Sequence, residues 1–292
     1  MAKVLIIGAG PAGVSAALYA VRGGIEVTVL YRGSGALAKA ERIENYYGFA
    51  EAPAGAELER NGIEGAKKLG VEFIEDEAVW LGMDDTFTGF AVKSSNREYE
   101  ADSVILATGS ARRAPSLIGL KEFEGKGVSY CAVCDAFFYR GKTVAVLGAG
   151  EYALHEAEVL LPHAQKVMLF TDGVESSVEI PDEIEIHREK IEAIEGDEKV
   201  NGIRTSEGIV PTDGVFVAYG TAGSTELARK IGAAIDAGHI AVDENMASSI
   251  PGLFAAGDCN GGLLQVAKAV YEGAVAGLSA VKFLREKVKQ KK

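Results

Sequence analysis

The stretch GAGPAG, residues 8–13, constrains the fold of this chain more than any other feature. It follows the apolar run KVLIIG and precedes a helix that the pattern predicts over residues 11–22. In a strand–turn–helix unit of this kind, Gly8 allows the tight turn, Gly10 lets a pyrophosphate approach the backbone, and Gly13 lets helix and strand pack closely. The free amides at the helix N-terminus would then hold the phosphates.

The same unit occurs a second time. Residues 4–17, VLIIGAGPAGVSAA, align with residues 144–157, VAVLGAGEYALHEA. A further pair, DSVILATG (102–109) and DGVFVAYG (213–220), shows a buried strand that runs into glycine in each copy. Duplicated elements in the same order predict an α/β fold of two dinucleotide-binding, Rossmann-like domains with parallel sheets and a three-layer ββα arrangement.

The C-terminal segment IPGLFAAGDCNGGLLQ returns to the first unit rather than continuing the second. It predicts a strand, a glycine-rich turn at Gly257 and Asp258, and a long amphipathic helix from about Leu264. The second domain is therefore expected to be inserted into the first. The predicted bounds are 1–112 and 243–292 for the first domain and 113–242 for the inserted one, with crossings near Arg112–Ser116 and Gly238–Val242.

The second glycine motif, GAGEYA (148–153), looks less suited to a nucleotide. Tyr152 is expected to place a large side chain where a phosphate would approach, and no arginine follows the next strand to bind the 2′-phosphate of NADP. Asp172 could serve NAD, but it lies late in the segment. Residues 171–185 are rich in acids and lack Lys and Arg, which repels phosphate. Both a retained fold without nicotinamide and an NAD site stay open.

Two thiols, Cys131 and Cys134, lie two residues apart and are followed at once by Asp135. A CxxC at the start of a helix lowers the pKa of one thiol, and the thiolate is the attacking species in disulfide exchange. Reduction of a disulfide takes up protons, which Asp135 is placed to deliver, although a helix-start acid is the alternative. Half of a zinc site is disfavoured because Cys259, expected as a packing residue, is the only other cysteine.

The three aromatic residues after the CxxC, Phe137, Phe138 and Tyr139, are expected to pack in the core or at a hinge rather than to dock a partner. A net charge of −12 argues against nucleic acid and anionic membranes as partners. No run of 18 apolar residues occurs, and glycines break the apolar N-terminal stretch, so neither a membrane span nor a signal peptide is expected. Three cysteines in 292 residues favour a cytoplasmic protein.

Six motifs in this order resemble those of the low-molecular-weight thioredoxin reductases. They are GAGPAG (8–13), ENYYGF (44–49), ILATGS (105–110), CAVCD (131–135), GAGEYA (148–153) and GLFAAGD (252–258). The resemblance spans almost the whole chain. It implies an FAD flavoprotein of two domains, usually a homodimer, that passes electrons from NADPH through the flavin to a CxxC and then to the disulfide of a partner.

The resemblance also implies roles for individual residues. Cys134 would lie against the flavin ring, Cys131 would be the outer sulfur, and Asp135 would handle the proton. Tyr47 stands where the family has proline, and Leu264 where it usually has arginine. The implied FAD contacts are Gly8, Gly10, Pro11, Ala12 and Gly13 at the pyrophosphate, Asp258 with Gly257 at the ribityl chain, and Asn45, Thr108, Gly109 and Gln265 near the flavin.

The departures from the family concern the electron source. Where the family has HRR, this chain has FTDG; Tyr152 replaces a small hydroxyl residue, and YGTAGS (219–224) lacks the usual proline. This pattern resembles the atypical NADPH-independent members, which accept electrons from reduced ferredoxin or from a reduced deazaflavin. The expected partners are thioredoxin or a similar small dithiol protein, with ferredoxin as a candidate donor. The alternatives are an NADPH- or NADH-dependent thioredoxin or peroxide-system reductase, and a non-enzymatic flavin redox sensor.

Overall fold

The computed structural model describes residues 2–109, 116–176 and 178–290. Contacts divide the chain into two units. The first unit comprises Met1–Ala111 and Gly223–Lys292, and the second unit, Arg112–Ala222, is inserted between these two parts. The predicted fold class, two Rossmann-like domains with the second inserted into the first, is confirmed.

The elements follow one another in the order that the repeat predicted. The first unit begins with β1 (Lys3–Ile7), α1 (Pro11–Arg22), β2 (Glu26–Tyr31), α2 (Gly55–Lys68), β3 (Glu72–Glu75), β4 (Ala78–Met83), β5 (Phe90–Ser94), β6 (Glu98–Ala101) and β7 (Ser103–Leu106). The second unit contains β8 (Val128–Ser129), α3 (Ala132–Asp135), β9 (Thr143–Leu147), α4 (Glu151–Leu160), β10 (Lys166–Phe170), β11 (Ile184–His187), β12 (Ile191–Gly196), β13 (Val200–Thr205), β14 (Gly208–Pro211) and β15 (Gly214–Val217). The first unit resumes with α5 (Ser224–Lys230), β16 (Ile235–Asp236), β17 (His239–Ile240), β18 (Leu253–Ala255) and α6 (Val266–Gln290).

The first unit is built on a parallel five-stranded sheet in the order β18–β7–β1–β2–β3. Its central strands end level, since Ile7 lies opposite both Leu30 and Leu106 in the register. Strands β4, β5 and β6 form a separate antiparallel sheet. Ligands of open parallel sheets bind beyond the carboxyl ends of the strands, and the predicted glycine turns follow this edge.

Helices α1 and α6 pack closely because α6 presents glycine to α1. A Cβ atom on Gly273 would stand 2.1 Å from the Ala12 carbonyl oxygen, and one on Gly277 would stand 2.5 Å from that of Ala16. The Ser15 hydroxyl adds a hydrogen bond of 2.7 Å to the Val270 carbonyl. The C-terminal helix therefore belongs to the core of the first unit, as the sequence predicted.

The second unit repeats this plan. Its parallel sheet has the order β11–β10–β9–β15–β8, and β12, β13 and β14 form the antiparallel sheet. One connection differs. In the first unit α2 lies between β2 and β3, whereas the described residues between β10 and β11 contain no helix. The sequence-based expectation of a shortened segment there agrees with this difference.

The second crossing between the units falls earlier than the predicted Gly238–Val242. Residues 223–242, with α5 and the β16–β17 hairpin, belong to the first unit, so the bound at 243 was set too late. The physical reason is a long-range contact, because Ser224 at the start of α5 is hydrogen-bonded to Thr108 of the first unit, 116 residues earlier in the chain. The other predicted crossing, Arg112–Ser116, lies outside the described residues except for Ser116 itself.

Candidate active site

The first glycine turn has the geometry that a pyrophosphate requires. Gly8 adopts a φ of +115°, and a Cβ atom there would lie 2.3 Å from the Ala107 carbonyl oxygen. A Cβ atom on Gly13 would lie 1.8 Å from the carbonyl oxygen of Gly8. Gly10, in contrast, faces open space: apart from its own chain neighbours, none of the described residues has a heavy atom within 4 Å of the position of a Cβ. Two of the glycines are thus required by backbone contact, and the third leaves room for a ligand.

Helix α1 begins beside this open space. Gly10 is its N-cap, Pro11 is its first residue, and no side chain caps its first turn, so its amides remain for a ligand. A Cβ atom on Gly257 would stand 3.0 Å from the Cβ of Ala12. The structure therefore brings the turn at Gly257 and Asp258 against the start of α1, although 245 residues separate them along the chain.

Two charged residues on α6 fix the turn at Gly257. The Glu272 carboxylate accepts a hydrogen bond of 2.8 Å from the Gly257 amide, and the Lys268 ammonium donates one of 2.9 Å to the Gly257 carbonyl. The two side chains also form an ion pair, with 3.0 Å between Lys268 Nζ and Glu272 Oε2. Sequence analysis missed this pair, although its spacing of four residues on a helix directly after the turn was a usable signal.

Thr108 and Ser224 form a reciprocal set of three hydrogen bonds. The Thr108 amide donates to Ser224 Oγ at 3.0 Å, the Ser224 amide donates to Thr108 Oγ1 at 2.7 Å, and the two hydroxyls lie 2.8 Å apart. Gly109, the next residue, has a φ of +82° and open space around it. Thr108 therefore shapes the turn through Ser224, a partner that the sequence did not indicate.

Asn45 and Gln265 are brought together as the resemblance implied. The Asn45 side-chain amide donates a hydrogen bond of 2.7 Å to Gln265 Oε1, and both residues are exposed. Tyr47 and Leu264, which replace the proline and the arginine of the family, are exposed as well. All of the predicted FAD contacts thus lie in the first unit.

No acid follows β2 at the position where dinucleotide sites commonly carry one, and the acid nearby, Glu77, lies just beyond the end of β3. Tyr31 ends β2, and Arg32, which follows it, forms an ion pair with the buried carboxylate of Glu77. Glu77 comes directly after Asp76, whose amide is bonded to the Tyr31 carbonyl beyond the end of β3. The guanidinium of Arg32, half-exposed, stands where dinucleotide sites commonly carry an acid.

The residues of the first unit fit FAD on structural grounds. The open space at Gly10, the uncapped first turn of α1 and the adjoining turn at Gly257 together form a cradle for a pyrophosphate and its neighbours. FAD is the cofactor of the thioredoxin reductases in the family described below.

Cys131 and Cys134 form a disulfide in the second unit, with their Cα atoms 5.3 Å apart. Cys131 is the N-cap of α3, and its sulfur accepts a hydrogen bond of 3.2 Å from the Cys134 amide. Such a contact favours a thiolate at this position once the bond is reduced. Cys131 is only 4% exposed, whereas Cys134 is exposed, so residue exposure in the disulfide state does not favour Cys131 as the outer sulfur.

Asp135 is connected to the cysteine pair through Ser129. The Ser129 hydroxyl donates a hydrogen bond of 2.6 Å to Asp135 Oδ2 and accepts one of 3.1 Å from the Cys131 amide. The carboxylate caps neither α3 nor the short 3₁₀ turn that follows. A nearby phenol, Tyr139, has a raised pKa because it is partly buried and faces the negative charges of Asp135 and Asp213.

The expectation that the aromatic residues after α3 would pack in the core is wrong for two of them. Phe137 is 65% exposed and Phe138 is 68% exposed, while Arg140 lies over the ring of Phe137. Only Tyr139 packs, edge-on against Phe216 with 5.2 Å between ring centroids. The 3₁₀ turn that carries them is too short to bury successive residues on one face.

The second glycine turn keeps the backbone of the first but not its surroundings. A Cβ atom on Gly148 would stand 2.3 Å from the Ala218 carbonyl oxygen, as on Gly8 with Ala107. Tyr152 is buried, and its hydroxyl donates a hydrogen bond of 3.4 Å to the Tyr130 carbonyl. This contact gives Tyr152 a role beside the cysteine segment that the sequence did not predict.

The residues beyond the ends of β10 and β15 offer little to a nicotinamide nucleotide. Both carboxylate oxygens of Asp172 are engaged, one by the Ile191 amide at 2.8 Å and the other by Lys190 at 2.9 Å. The hydroxyl of Tyr219 is buried, and the pKa of Tyr219 is raised by burial and by the charge of Asp172. Asp172 thus stabilises contacts within the second unit, which argues against its interpretation as a ribose ligand.

Two other kinds of site find no support in the part of the chain that the structure describes. Residues 2–109, 116–176 and 178–290 contain no group of three or more His, Cys, Asp or Glu side chains arranged to hold a metal ion. No helix in these ranges combines the length and the apolar character that crossing a membrane requires. Cys259 is fully buried, and burial raises the pKa of its thiol to about 12, which confirms it as a packing residue.

Comparison with known proteins agrees with this geometry. Residues 2–273 match the model of a family described as pyridine nucleotide-disulphide oxidoreductase. Thioredoxin reductase from Aquifex aeolicus is 37% identical, covering 98% of this chain and 94% of that protein. The crystal structure of the atypical thioredoxin reductase TRi from Desulfovibrio vulgaris Hildenborough is similar at a TM-score of 0.92 and 37% identity, covering 98% of this chain and 99% of the other.

A second solved structure is also similar to this chain. A ferredoxin-flavin thioredoxin reductase from Clostridium acetobutylicum is similar at a TM-score of 0.73 and 34% identity, covering 97% of this chain and 98% of the other. Together, the two glycine turns, the CxxC disulfide and these similarities leave one assignment. The chain belongs to the pyridine nucleotide-disulphide oxidoreductase family and, within it, is a flavin-dependent disulfide oxidoreductase of the thioredoxin reductase type.

Proposed function

We propose that this enzyme takes electrons from reduced ferredoxin and passes them to the Cys131–Cys134 disulfide and then to thioredoxin or a similar small dithiol protein. The observation that carries the proposal is the contrast between an open first glycine turn and a second turn whose nucleotide-binding groups are absent or engaged. When bound, FAD supplies the relay that accepts electrons from the donor and passes a pair to a disulfide.

The first unit provides the residues that would hold the cofactor. The amides of α1 beyond Gly10 would bind the pyrophosphate, and the Asp258 carboxylate, next to the fixed turn at Gly257, would accept hydrogen bonds from the ribityl hydroxyls. Around the flavin, Asn45 and Gln265 offer paired amide groups. The proposed cofactor contacts are Gly8, Gly10, Pro11, Ala12, Gly13, Asn45, Thr108, Gly109, Gly257, Asp258 and Gln265.

The cysteine pair and Asp135 carry the exchange. Opening the disulfide takes two electrons and two protons and gives two thiols. Although Cys134 is the more exposed residue in the disulfide state, we assign it, as the family resemblance implies, as the sulfur that receives the electron pair, and Cys131 as the one that exchanges with the partner. Asp135 supplies a proton, and the Ser129 hydroxyl, which bonds both the carboxylate and the Cys131 amide, holds Asp135 beside the cysteine pair.

The surface after α3 supports a protein partner. Phe137 and Phe138 project into solvent within a few residues of Cys134, and Arg140 lies beside them. Exposed aromatic side chains flanked by a cation are typical of interface anchors. The relatives named thioredoxin reductase make thioredoxin the first partner to test.

Three observations favour ferredoxin over a nicotinamide donor. No arginine follows β10, Asp172 is bonded to Lys190 and Ile191, and no helix occurs in the described residues between β10 and β11. The similar ferredoxin-flavin enzyme from Clostridium acetobutylicum points the same way. The family's description as pyridine nucleotide-dependent keeps NADPH and NADH as the competing donors, in a thioredoxin or peroxide-system reductase. Its enzymatic relatives argue against a non-enzymatic flavin sensor.

A turnover assay tests the donor. The holoenzyme is incubated without oxygen with oxidised thioredoxin and, in separate arms, with reduced ferredoxin, NADPH, NADH or a reduced deazaflavin, and free thioredoxin thiols are counted. We expect turnover with ferredoxin and at least about 100-fold less with either nicotinamide, a difference of roughly 2.7 kcal/mol in barrier height. Faster turnover with NADPH or NADH would contradict the proposal. The homodimer that the family implies is checked by sedimentation.

A further inference from the structure

Helix α4 touches the backbone on both sides of Cys131. The buried Tyr152 hydroxyl donates a hydrogen bond of 3.4 Å to the carbonyl of Tyr130, the residue before the cysteine. The Glu156 carboxylate, only 1% exposed, accepts one of 2.7 Å from the amide of Ala132, the residue after it. Tyr152 and Glu156 lie four residues apart on α4 and so share one face of the helix.

These contacts matter because α3 has little stability of its own. It has four residues, a single turn, and its first amides have no partner inside the helix. Glu156 satisfies one of these amides, and the Cys131 sulfur satisfies another through the Cys134 amide. The position of the disulfide therefore depends on α4, which in the first unit corresponds to the helix that binds a pyrophosphate.

We propose that Tyr152 and Glu156 are positioning residues that hold Cys131 in the disulfide-forming geometry, so that the helix of the second glycine motif serves the redox pair instead of a nucleotide. The inference rests on the proposed role of Cys131 and Cys134 as that pair. The two bonds stabilise the disulfide state and weaken when the sulfurs separate. They therefore raise the effective concentration of one thiol at the other.

The equilibrium with glutathione measures this effect. Two glutathione thiols reduce the Cys131–Cys134 disulfide to two thiols and become one glutathione disulfide, so atoms and electrons balance without any other reactant. The oxidised holoenzyme is equilibrated in glutathione buffers of graded ratio and quenched with acid. Free thiols are then alkylated and counted by mass spectrometry. The readout does not involve thioredoxin turnover.

Four variants separate positioning from other roles. Glu156→Ala should make the disulfide about tenfold easier to reduce, equivalent to about 30 mV for this two-electron couple. Tyr152→Phe should do so about threefold, since its bond is longer. Glu156→Gln keeps an oxygen that can accept from the Ala132 amide and should stay within about twofold of the wild type. Glu158→Gln, on the exposed face of α4, is the matched control and should leave the equilibrium unchanged.

The outcomes are decisive in either direction. A wild-type potential in a folded Glu156→Ala protein, or equal shifts in Glu156→Ala and Glu156→Gln, would overturn the proposal that Tyr152 and Glu156 position Cys131. Equal shifts would do so because they would make the charge of Glu156, rather than its hydrogen bond, responsible. If Glu156→Ala does not fold, the ratio between Tyr152→Phe and the wild type decides alone. Failure of the proposed function would look different: the wild-type disulfide would exchange with glutathione and yet pass no electrons to thioredoxin.

Discussion

The two glycine turns of this protein share one backbone geometry but differ in the groups that surround them. Gly8 presses on the Ala107 carbonyl and Gly148 on that of Ala218, in both cases at 2.3 Å from the position of a Cβ. Beyond this shared contact, the two units differ. The first turn leads into a helix whose amides face open space at Gly10, while the second leads into a helix that bonds the backbone around Cys131.

The difference teaches that a duplicated fold can keep the strand–turn–helix unit while the helix that follows it makes different contacts. The close contact at the first glycine is required by the backbone in either copy, so the motif alone does not report a nucleotide. What distinguishes the two copies is whether the groups at the strand ends are already engaged. In the second unit Asp172 and Tyr219 occupy those ends.

Removing a cysteine should have the largest effect and would show that the second unit acts through its disulfide. Cys134→Ser should lower thioredoxin reduction by at least about 10³-fold, because no disulfide can then form within the pair. Cys259→Ala, which alters a buried packing residue, is the control and should change the rate less than about twofold. Appreciable thioredoxin reduction by Cys134→Ser would show that the second unit does not act through this disulfide.

The substitution Gly13→Ala, which places a methyl group inside the first glycine turn, should have the second-largest effect. In Gly13→Ala the new Cβ would lie 1.8 Å from the Gly8 carbonyl oxygen, so the turn must distort, at a cost of about 3 kcal/mol or more in the free energy of unfolding. The second unit already carries alanine, Ala153, at the matching position. Thermal unfolding and the flavin absorbance of the purified protein measure the effect. A fully loaded, equally stable Gly13→Ala protein would show that the two turns are interchangeable.

Filling the open space in front of the helix should affect only one copy. Gly10 and Gly150 have φ values of −73° and −121°, which alanine also adopts, so both substitutions should leave the fold intact. Gly10→Ala should weaken FAD binding about 10- to 100-fold, since each tenfold corresponds to about 1.4 kcal/mol. Gly150→Ala should leave it unchanged. Equal FAD affinities in the two variants, measured by flavin fluorescence, would contradict the assignment.

Substitutions that affect the residues after β7 and β15 should change the free energy of unfolding by a smaller amount. Ser224→Ala removes the partner of the Thr108 amide and hydroxyl and should lower the free energy of unfolding by about 1–3 kcal/mol. Tyr219→Phe removes a buried hydroxyl that has no hydrogen-bond partner among the described residues, so stability should stay the same or rise. Urea titrations of both variants give the two values. A large loss in Tyr219→Phe would reveal a partner for its hydroxyl.

The smallest effect concerns the thiol of the first unit. Burial raises the pKa of Cys259 to about 12, so at about pH 8 only about one molecule in 10⁴ carries the thiolate. The reduced native protein should therefore take up iodoacetamide at Cys131 and Cys134 alone, and at Cys259 only after unfolding. Mass spectrometry of the labelled peptides checks this. Rapid labelling of native Cys259 would show that its surroundings open.

Local patterns predicted much of this structure, and long-range contacts account for what they missed. The bounds of α1 and the repeat of one element order in the two units follow from glycine and apolar spacing within short windows. The crossing at residue 223 depends on Ser224 meeting Thr108, which no local pattern reports. Burial of Glu156 and exposure of Phe137 both run against residue type, so only the packed chain reveals them.

The rate at which each donor reduces the flavin tests most directly whether ferredoxin, rather than a nicotinamide nucleotide, supplies the electrons. Oxidised holoenzyme is mixed without oxygen with NADPH or with reduced ferredoxin, and the flavin absorbance is followed in a stopped-flow instrument. We expect ferredoxin to bleach the flavin at least as fast as turnover, whereas NADPH should leave it oxidised on that timescale. Bleaching by NADPH at the turnover rate would contradict the proposal, because the second glycine turn would then bind the nucleotide.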